Sequence, residues 1–462
     1  MEEHKYNAII YDKDTSYKLT ASFGSRNSLL INFTDRVWFK NNHEFDRLVL
    51  TLPDDELEFG RSLFRYESNV PNYIGRLIFI SDVYDLHNIF TLNRMANLDS
   101  YFMNLPLVMA QKNKIRESFR HYTSDLTYDL RVYRKYFEEL DEMYRNEPPE
   151  IYKLAQKTIL ETEGRKFFAF FDKKLDQLKI ETKDFTREEQ ENHAYFFRRQ
   201  VWDFITASKF LTRTNTKPRG YPGDSEMMSM IYRDLYEGNS IFEKLMHKHP
   251  LETKSAQAVR NRKTSIPEFI NESMKTFPAA EKKFKILSVA SGPARELENI
   301  IVSPKFCDLY DITLLDQDNE ALSEAGNCIR RIENRFNARV NYSFINESVR
   351  TMLRIRNLNE KWGQFNFIYS MGLFDYLTTR VAQSVLEKLY TLLLPGAKMI
   401  IGNYHEENPT KTYMDYWGDW VLYYRSEDDF LQLAANLNAS KKEIVFESSH
   451  CQMFLILEKP TD

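Results

Sequence analysis

Apolar residues recur every three or four positions in the middle of the chain, which is the pattern of a helix with one buried face. Between residues 126 and 144 the spacing is 4, 3, 4, 3 and 4, and the residues concerned are Leu126, Leu130, Tyr133, Phe137, Leu140 and Tyr144. This spacing predicts an amphipathic helix that stops at Pro148-Pro149, because proline cannot continue a helix. The pattern returns over 150–178 and, as a further helix, over 188–211. We therefore predict a helical region over residues 96–212.

The first 95 residues follow a different pattern, in which short apolar runs alternate with polar breaks. The runs occupy residues 7–11, 28–33, 47–52, 62–66 and 75–79. Their regular spacing predicts a small β barrel or sandwich. Pro53-Asp54-Asp55 is a turn candidate within it. We interpret residues 1–95 as a separate β domain.

The last part of the chain alternates apolar strands with helical stretches. The predicted strands are 286–290, 311–315, 340–345, 365–369 and 398–402, and two more at 443–446 and 453–457 close the sheet. Seven strands with intervening helices predict a Rossmann-like, doubly wound α/β sheet, in which ligands bind at the carboxyl ends of the strands. We assign it to residues 213–462, with a helical cap at its start. Pro267 is predicted to separate a helix over 255–263 from another over 268–275.

The first two strands of this sheet enclose a small-residue turn and end on an acid. Ser291-Gly292-Pro293-Ala294 follows the first strand, a helix is predicted over 295–302, and Asp316 ends the second strand. A small-residue turn lets the backbone approach a ligand closely, and an acid in this place can accept hydrogen bonds from both hydroxyls of a ribose. Because 24 residues separate Gly292 from Asp316, the spacing is near the roughly 20 expected of a nucleoside-binding unit.

The turn keeps only one glycine of a glycine-rich motif. Ala290 and Ala294 stand at the flanking positions, and Ser288 stands where many such sites carry an acid. A pyrophosphate would require more glycines, whereas a ligand with a ribose and no phosphate requires fewer. The stretch therefore resembles, in a degenerate form, the first motif of class I methyltransferases, which bind S-adenosylmethionine.

Charge and cysteine content narrow the classes of function. The net charge is −4 and no basic stripe is present, which disfavours a nucleic-acid substrate or partner. The three cysteines are far apart in the sequence and lack metal-ligand spacing, so we predict no metal site and a reducing, cytoplasmic location. No apolar run approaches the roughly 18 residues of a membrane span.

Four further motifs make the resemblance more specific. They are KPRGYPGD (217–224), SMGLFDYL (370–377), GNYHEENP (402–409) and MDYWGDWVLYYR (414–425). Together they resemble bacterial methyltransferases of 3-hydroxypalmitic acid methyl ester biosynthesis, which make a fatty-acid methyl ester used as an extracellular signal. The resemblance covers about residues 193–458, and it implies S-adenosylmethionine as cofactor and a small acyl substrate.

The resemblance also implies roles for the residues that match. Those implied to hold the cofactor are Ala290 and Gly292 under the methionine part, Asp316 and Gln317 at the ribose, Asn346, Glu347 and Ser348 at the adenine, Ser370, Gly372 and Asp375 on the other wall, and Tyr221 and Asp224 as a cap. Those implied to meet the methyl acceptor are Asn403, His405, Trp420, Tyr423 and Arg425. A carboxylate acceptor would need Arg425 or His405 to fix it, whereas a hydroxyl acceptor would need His405 as a base.

The N-terminal domain carries a fainter resemblance. Residues 75–79, followed by Val83-Tyr84-Asp85, resemble a PilZ-like barrel, a fold that in other proteins binds cyclic di-GMP. The D/N-x-S-x-x-G strand needed for that ligand is absent from the sequence, which disfavours cyclic di-GMP as a partner. An interaction or docking domain is the alternative interpretation.

Two hypotheses of different classes remain open at this point. The first is an S-adenosylmethionine-dependent methyltransferase acting on the carboxylate of a 3-hydroxy fatty acid. The second is a cofactor-binding or inactive methyltransferase-like sensor or scaffold, which would engage a protein partner or a second copy of the chain through its N-terminal or helical region. The degenerate first turn motivates the second hypothesis, and the motifs at four strand ends favour the first.

Overall fold

The structure is a computed structural model that describes most of the chain in two compact units. The described residues are 6–25, 28–35, 37, 39–51, 56–66, 74–81, 86, 114–275, 277 and 283–461. Pro53-Asp54-Asp55, Val83-Tyr84-Asp85 and the predicted helical segment 96–113 lie outside them. The first unit holds the described residues up to Pro222 with Tyr236–His247 and Thr412–Trp420, and the second holds Gly223–Leu235, Lys248–Lys411 and the described residues from Val421 onward.

The first unit contains one antiparallel sheet of eight strands. The strands are β1 (Tyr6–Asp12), β2 (Thr15–Ser25), β3 (Ser28–Phe33), β4 (Glu44–Phe45), β5 (Arg47–Thr51), β6 (Glu56–Phe59), β7 (Ser62–Tyr66) and β8 (Ile74–Phe79), in the order β4-β7-β8-β3-β2-β1-β5-β6. All five predicted strands are confirmed. The sequence pattern missed β2, because its buried Leu19 and Ala21 alternate with polar residues and only one of them is large.

This sheet curls around an aromatic core. The backbone N–H of Asp46, which directly follows β4, donates to the carbonyl oxygen of Tyr11 in β1 at 2.9 Å, so strands that are distant in the sheet order come together. Phe33 packs edge-on against Phe64 with 5.7 Å between ring centroids. The sheet is curled and is not clearly a PilZ-like barrel, so the resemblance to that fold is not confirmed.

Six helices follow this sheet in the chain, all of them in the first unit. They are α1 (Glu117–Arg145), α2 (Pro149–Glu161), α3 (Glu163–Thr182), α4 (Arg187–Gln200), α5 (Trp202–Ile205) and α6 (Lys209–Thr216). The amphipathic helix predicted over 126–144 is confirmed within α1, and Leu126, Leu130 and Phe137 are buried. The single helix predicted over 188–211 is wrong, because the chain breaks twice there. Ser208 caps α6 by accepting a hydrogen bond from the Leu211 N–H at 3.2 Å, a local bond that competes with helix continuation.

The second unit is built on the predicted seven-stranded sheet. Its strands are β9 (Phe284–Val289), β10 (Tyr310–Leu315), β11 (Asn341–Ile345), β12 (Phe365–Ser370), β13 (Leu393–Tyr404), β14 (Lys441–Phe446) and β15 (Gln452–Glu458), in the order β11-β10-β9-β12-β13-β15-β14. The strands from β11 to β13 are parallel, and β15 runs antiparallel to both of its neighbours. The strand order reverses between β9 and β12, so the ligand crevice is expected at their carboxyl ends.

The helices after residue 222 belong to both units, because Tyr236–His247 and Thr412–Trp420 lie in the first. The remaining helices of the described chain are α7 (Ser225–Arg233), α8 (Ile241–Leu251), α9 (Lys254–Met274), α10 (Leu297–Ile300), α11 (Pro304–Leu309), α12 (Asn319–Phe336), α13 (Val349–Arg354), α14 (Leu358–Trp362), α15 (Thr379–Thr391), α16 (Lys411–Trp417) and α17 (Glu427–Gln432), with a 3₁₀ turn at Phe374–Tyr376. None of the helices in the described ranges is long and apolar enough to cross a membrane.

Two helix predictions in this unit are wrong for identifiable reasons. The helix expected over 295–302 is only the single turn α10, and Pro304 then opens α11. Pro267 does not separate two helices but lies inside α9. Proline has no N–H, so the carbonyl oxygen of Lys263 loses its helical donor. The side-chain amide of Asn299 donates to that oxygen at 3.3 Å instead.

Candidate active site

The turn after β9 keeps the shape of a glycine-rich turn with only one glycine. Ala290, Gly292 and Ala294 all have positive φ, at 54°, 55° and 49°. An L-residue other than glycine adopts this conformation at a cost of roughly 1–2 kcal/mol. The two alanines therefore hold a strained backbone at the point where β9 faces the ligand crevice, and the degenerate motif has not changed the path of the chain.

Asp316 closes this turn from the end of β10. Its Oδ2 accepts a hydrogen bond from the Gly292 N–H at 2.9 Å, and its Oδ1 accepts one from the Asp318 N–H at 3.0 Å. Burial raises the pKa of Asp316, and these two backbone donors oppose that rise. A carboxylate offers about four acceptor positions, so the side chain keeps capacity to accept from a ribose hydroxyl.

The turn also leaves space and unused hydrogen-bonding groups for a ligand. A Cβ added to Gly292 would meet no atom within 4 Å. The hydroxyls of Ser291 and Ser370 are buried without a hydrogen-bond partner among the described residues. Buried polar atoms in native proteins are nearly always bonded. These residues therefore fit a polar ligand with a ribose, as S-adenosylmethionine has, and they lie at the ends of adjacent strands.

The residues predicted to border the adenine follow β10 and β11. Gln317 and Asn346 are exposed, and the Asn346 amide donates to the Asp316 carbonyl oxygen at 3.0 Å. Ser348 caps α13 by accepting from the Thr351 N–H at 3.2 Å. Glu347 accepts from Lys361 at 3.2 Å. The bond from Asn346 to Asp316 places the segment 346–348 beside the end of β10. That these residues contact an adenine remains a prediction.

On the β12 side, Gly372 and Asp375 have different surroundings. A Cβ added to Gly372 would lie 3.6 Å from Nη1 of the Arg262 guanidinium. Asp375 is buried, and its Oδ1 accepts from the Tyr404 N–H at 2.7 Å. Burial raises the pKa of Asp375 to about 7 against the opposing effects of that N–H, Arg262 and Arg425. Asp375 therefore joins the ends of β12 and β13.

The predicted cap residues belong to different units. Asp224 lies in the second unit, is buried, and caps α7 by accepting from the Met227 N–H at 3.0 Å. Tyr221 lies in the first unit and is half-buried. Trp420, predicted to meet the acceptor, is also in the first unit and is buried there. The roles predicted for these three side chains remain predictions.

Asn403 and Arg425, predicted to meet the acceptor, bond to each other and to the backbone. Arg425 Nη1 donates to Asn403 Oδ1 and, at 2.9 Å, to the Phe374 carbonyl oxygen, while Nη2 donates to the Leu377 carbonyl oxygen at 2.6 Å. The Asn403 amide donates to the carbonyl oxygens of Tyr404 and Tyr423 at 2.8 and 3.0 Å. Both side chains are buried, and together they fix the loop at the tip of β13.

His405 lies at the same tip with both ring nitrogens engaged. Its Nδ1 accepts from the Glu407 N–H at 3.3 Å, and its Nε2 lies 3.0 Å from Glu427 Oε2. This pairing places the proton of the neutral ring on Nε2, where it donates to the carboxylate. The side chain of Tyr423 is 46% exposed. Of the residues predicted to meet the acceptor, Tyr423 is thus the one with an open side chain.

Four polar residues around the strand reversal were missed from the sequence. Tyr369 pairs with Ser288 across β12 and β9, and its hydroxyl donates to Glu296 Oε1 at 2.7 Å. Arg262 in α9 donates from Nη1 to the Met371 carbonyl oxygen at 3.0 Å and also bonds to Tyr232. In the sequence, Glu296 is visible only as a charged residue two positions after the turn. Its place in the crevice becomes apparent only when the fold brings Tyr369 to it.

A comparison with known protein families matches the part of the chain that forms the turn after β9. Residues 183–349, about a third of the chain, match the sequence model of a family described as putative methyltransferases. The matched segment includes the turn after β9 and Asp316. No curated protein matches the chain.

Solved structures similar to this chain are distant in sequence. A protein from Bordetella parapertussis described as a possible exported protein is 12% identical, with a TM-score of 0.44, and the match covers 64% of this chain and 97% of that one. Magnesium protoporphyrin IX methyltransferase from Synechocystis with bound S-adenosylmethionine is 9% identical, with a TM-score of 0.31 and coverage of 44% and 83%. An O-methyltransferase family protein from Burkholderia thailandensis is 10% identical, with a TM-score of 0.32 and coverage of 46% and 62%.

Similarity at this level assigns no substrate, so the assignment depends on the family match and on the site itself. The match covers the segment that forms the turn, and that turn combines strained alanines, a buried acid and serine hydroxyls without a described partner. The family match and this doubly wound sheet support a methyltransferase.

Proposed function

We propose that the protein methylates the carboxylate of an acyl chain, a 3-hydroxy fatty acid, to give a methyl ester that acts as a signal. The motifs at 217–224, 370–377, 402–409 and 414–425 support this substrate class. S-adenosylmethionine, when bound, supplies a methyl group that is already activated for transfer. Asp316, with the backbone at Gly292, would hold its ribose, and Ser291 and Ser370 would meet its remaining polar atoms.

A carboxylate acceptor suits the chemistry that the protein itself offers. Carboxylates are ionised at neutral pH, so no side chain has to remove a proton before transfer. The protein then has to orient the acceptor oxygen toward the methyl group and exclude water. Orientation of this kind lowers a barrier by up to roughly 7–11 kcal/mol.

The observation that carries this choice of acceptor is the state of His405. A hydroxyl acceptor would need a base, and His405 is the base candidate at the tip of β13. Its Nδ1 already accepts from the Glu407 N–H, and its Nε2 faces Glu427 at 3.0 Å. Since neither nitrogen is open to a substrate hydroxyl, the geometry favours an acceptor that is already an anion. Because Arg425 is also bonded within the protein, the open Tyr423 side chain would contact that anion instead.

Incubation with S-adenosylmethionine and 3-hydroxypalmitate, followed by mass spectrometry of the lipid, tests the proposal. We expect the lipid to gain the mass of one methylene unit, in a form that base hydrolysis reverses because it is an ester. The methyl ester of the same acid is the matched control, since it offers only the 3-hydroxyl. Methylation of the 3-hydroxyl in that control would contradict transfer to the carboxylate. It would instead favour a hydroxyl acceptor with His405 as the base.

A partner-binding role is a second candidate, and one feature of α1 favours it. Tyr128, Val132, Tyr136 and Met143 are 67%, 52%, 39% and 69% exposed. The first three are spaced by four residues, so they form one apolar stripe on the helix surface. We propose this stripe as the contact for a protein partner or a second copy of the chain. We expect Tyr128→Lys to lose self-association or partner binding while methyl transfer stays unchanged.

We also propose a cytoplasmic location. The three cysteines, Cys307, Cys328 and Cys451, are free and buried. Free thiols are the form maintained in a reducing compartment. Cell fractionation with an antibody to the native protein tests this, and recovery in the culture medium or periplasm would contradict it.

A further inference from the structure

Two opposite charges flank the strand reversal, and neither bonds to an opposite charge. Arg262 lies beside the segment that follows β12, through its 3.0 Å bond to the Met371 carbonyl oxygen. Glu296 lies beside the segment that follows β9, two residues after Ala294. These two segments form the two sides of the crevice where the strand order reverses.

The partners of Arg262 are neutral. Its Nη1 donates to the Met371 carbonyl oxygen, its Nη2 lies 3.1 Å from the sulfur of Met228, and it bonds to the hydroxyl of Tyr232. In the described part of the chain, no carboxylate lies within ion-pair distance of this half-buried guanidinium. A cation withdrawn from water in this way is stabilised further when an anion binds beside it.

The partners of Glu296 are neutral as well. Oε1 accepts from the Tyr369 hydroxyl at 2.7 Å, and the side chain is only 8% exposed. Burial raises the pKa of Glu296, while the Tyr369 bond, its own backbone N–H and the charge on Arg262 act against that rise. No cation among the described residues bonds directly to this carboxylate. A ligand ammonium group would complete it.

The position of Glu296 relative to Ser288 adds a second reason. Ser288 stands where many related turns carry an acid, and Tyr369 is its direct partner across the two strands. Because the Tyr369 hydroxyl bonds to both Glu296 and Ser288, it brings a carboxylate from the segment after the turn close to position 288. The side chain comes from a different point in the sequence and meets the same tyrosine.

We propose that Glu296 and Arg262 bind the two charges of the amino-acid end of the cofactor, with Glu296 at the ammonium group and Arg262 at the carboxylate. This inference rests on the cofactor assignment made above and adds residues to it. Tyr369 and Tyr232 are positioning residues, since they hold the two charged side chains. The adenosine end remains with Asp316 at the opposite side of the turn.

Ligands that lack one or both charges separate this proposal from a structural role. S-adenosylhomocysteine carries both charges, decarboxylated S-adenosylmethionine keeps the ammonium group alone, and 5′-methylthioadenosine has neither. For Glu296→Gln, calorimetric titration should show affinity for the first two ligands reduced about 10- to 100-fold, the size of a hydrogen bond to a charged group. Affinity for 5′-methylthioadenosine should change less than about threefold, since that ligand makes no such bond.

Arg262→Lys provides the complementary half of the test. This change keeps the positive charge but loses the forked geometry that binds carboxylates. Affinity for S-adenosylhomocysteine should fall about 5- to 50-fold, with the other two ligands unaffected. Glu298→Gln is the matched control, because Glu298 is only two residues from Glu296 and instead accepts from Arg331 at 3.1 Å and Arg295 at 3.2 Å. It should leave all three affinities unchanged.

The outcomes separate failure of the inference from failure of the cofactor site. If the unaltered protein binds none of the three ligands, the cofactor assignment itself is wrong. If it binds them and Glu296→Gln weakens all three equally, Glu296 only supports the turn and the inference is overturned. If Glu296→Gln leaves S-adenosylhomocysteine affinity unchanged, the ammonium group lies elsewhere and the inference is again overturned.

Discussion

The carboxyl ends of β9 and β12 differ from the tip of β13 in how completely their polar groups are bonded. At β9 and β12, two serine hydroxyls have no partner among the described residues, and the described partners of Arg262 and Glu296 are neutral groups. At β13, Asn403 and Arg425 satisfy each other and nearby carbonyl oxygens. The first region keeps buried groups that a ligand can bond, whereas Asn403 and Arg425 are bonded within the protein.

The difference shows which kind of polar residue indicates a binding site. The sequence shows polar side chains at the strand ends in both regions. Only the structure shows which of these side chains are already hydrogen-bonded within the protein. A buried network with every group paired makes a loop rigid. A buried group without a partner carries a desolvation cost that a ligand can remove. The difference therefore favours β9 and β12 as the proposed cofactor site, and it supports a structural role for the bonded side chains Asn403 and Arg425 at β13.

The largest expected effect is on stability, at Arg425. Arg425→Ala should lower the free energy of unfolding by about 3–5 kcal/mol, because it leaves buried carbonyl oxygens and the Asn403 amide without their partner. Chemical denaturation measures this change. Tyr423→Phe is the control and should stay within about 0.5 kcal/mol, because that side chain is 46% exposed.

A different result at Arg425 would reverse the comparison. If Arg425→Ala folds with nearly unchanged stability and instead loses affinity for the fatty acid, the guanidinium clamps the substrate carboxylate. The tip of β13 would then be a binding region, and its closed network would belong only to the protein without substrate.

The next effect concerns cofactor affinity at Asp316. Asp316→Ala should weaken S-adenosylhomocysteine binding by about 1.5–3 kcal/mol, which is roughly 10- to 150-fold, since hydrogen bonds to a charged group are lost. Asp311→Ala is the matched control because Asp311 lies near the start of the same strand, β10. Unchanged affinity in Asp316→Ala would mean that the ribose lies elsewhere.

The pH dependence of stability tests the link between the two regions, through Asp375. Its pKa is about 7 in the folded protein and about 3.9 in an unfolded chain. The folded state therefore holds a proton that the unfolded state has released, and this contribution to stability is lost as pH rises from about 4 to 7. The slope for one proton is at most about 1.4 kcal/mol per pH unit.

Asp375→Asn isolates this term from all other titrating groups. The asparagine oxygen can still accept from the Tyr404 N–H, so the hydrogen bond at 2.7 Å is kept while the titration is removed. Unfolding free energies measured across pH 4–8 should decline less steeply in the variant than in the unaltered protein. Parallel curves would show that burial does not raise this pKa.

The smallest expected effect is at an unbonded hydroxyl. Ser370→Ala removes a buried group that has no partner, so the stability of the ligand-free protein should stay constant or rise. Affinity for S-adenosylhomocysteine should fall by about 0.5–1.5 kcal/mol, roughly 2- to 13-fold. Ser62→Ala removes another buried, unbonded hydroxyl, in the N-terminal sheet, and should leave affinity unchanged. If Ser370→Ala and Ser62→Ala changed S-adenosylhomocysteine affinity equally, the unbonded Ser370 hydroxyl would not indicate a ligand contact.

The sequence predicted the seven-stranded sheet well because its strands are short, apolar and flanked by polar turns. It failed where one residue depends on a distant one. Pro267 is tolerated inside α9 because Asn299 bonds to the carbonyl oxygen that proline leaves free. The strand β2 was missed because its exposed face is polar and its buried face carries small residues such as Ala21.

The candidate site shows the same division. Gly292 and Asp316 could be paired from the sequence because their roles follow from their spacing along one βαβ unit. Glu296 and Arg262 could not, since Tyr369 and the fold bring them to the crevice from separate elements. Nor could the sequence show that Asn403 and Arg425 bond to each other, because bonding partners of buried polar groups are a property of the packed structure.

Titration of the unaltered protein with S-adenosylhomocysteine in a calorimeter shows whether the unbonded groups around the turn after β9 form a cofactor site. We expect binding of one ligand per chain, with competition by 5′-methylthioadenosine at the same site. No binding at millimolar ligand, by a protein shown to be folded, would contradict the cofactor site and the methyltransferase assignment together.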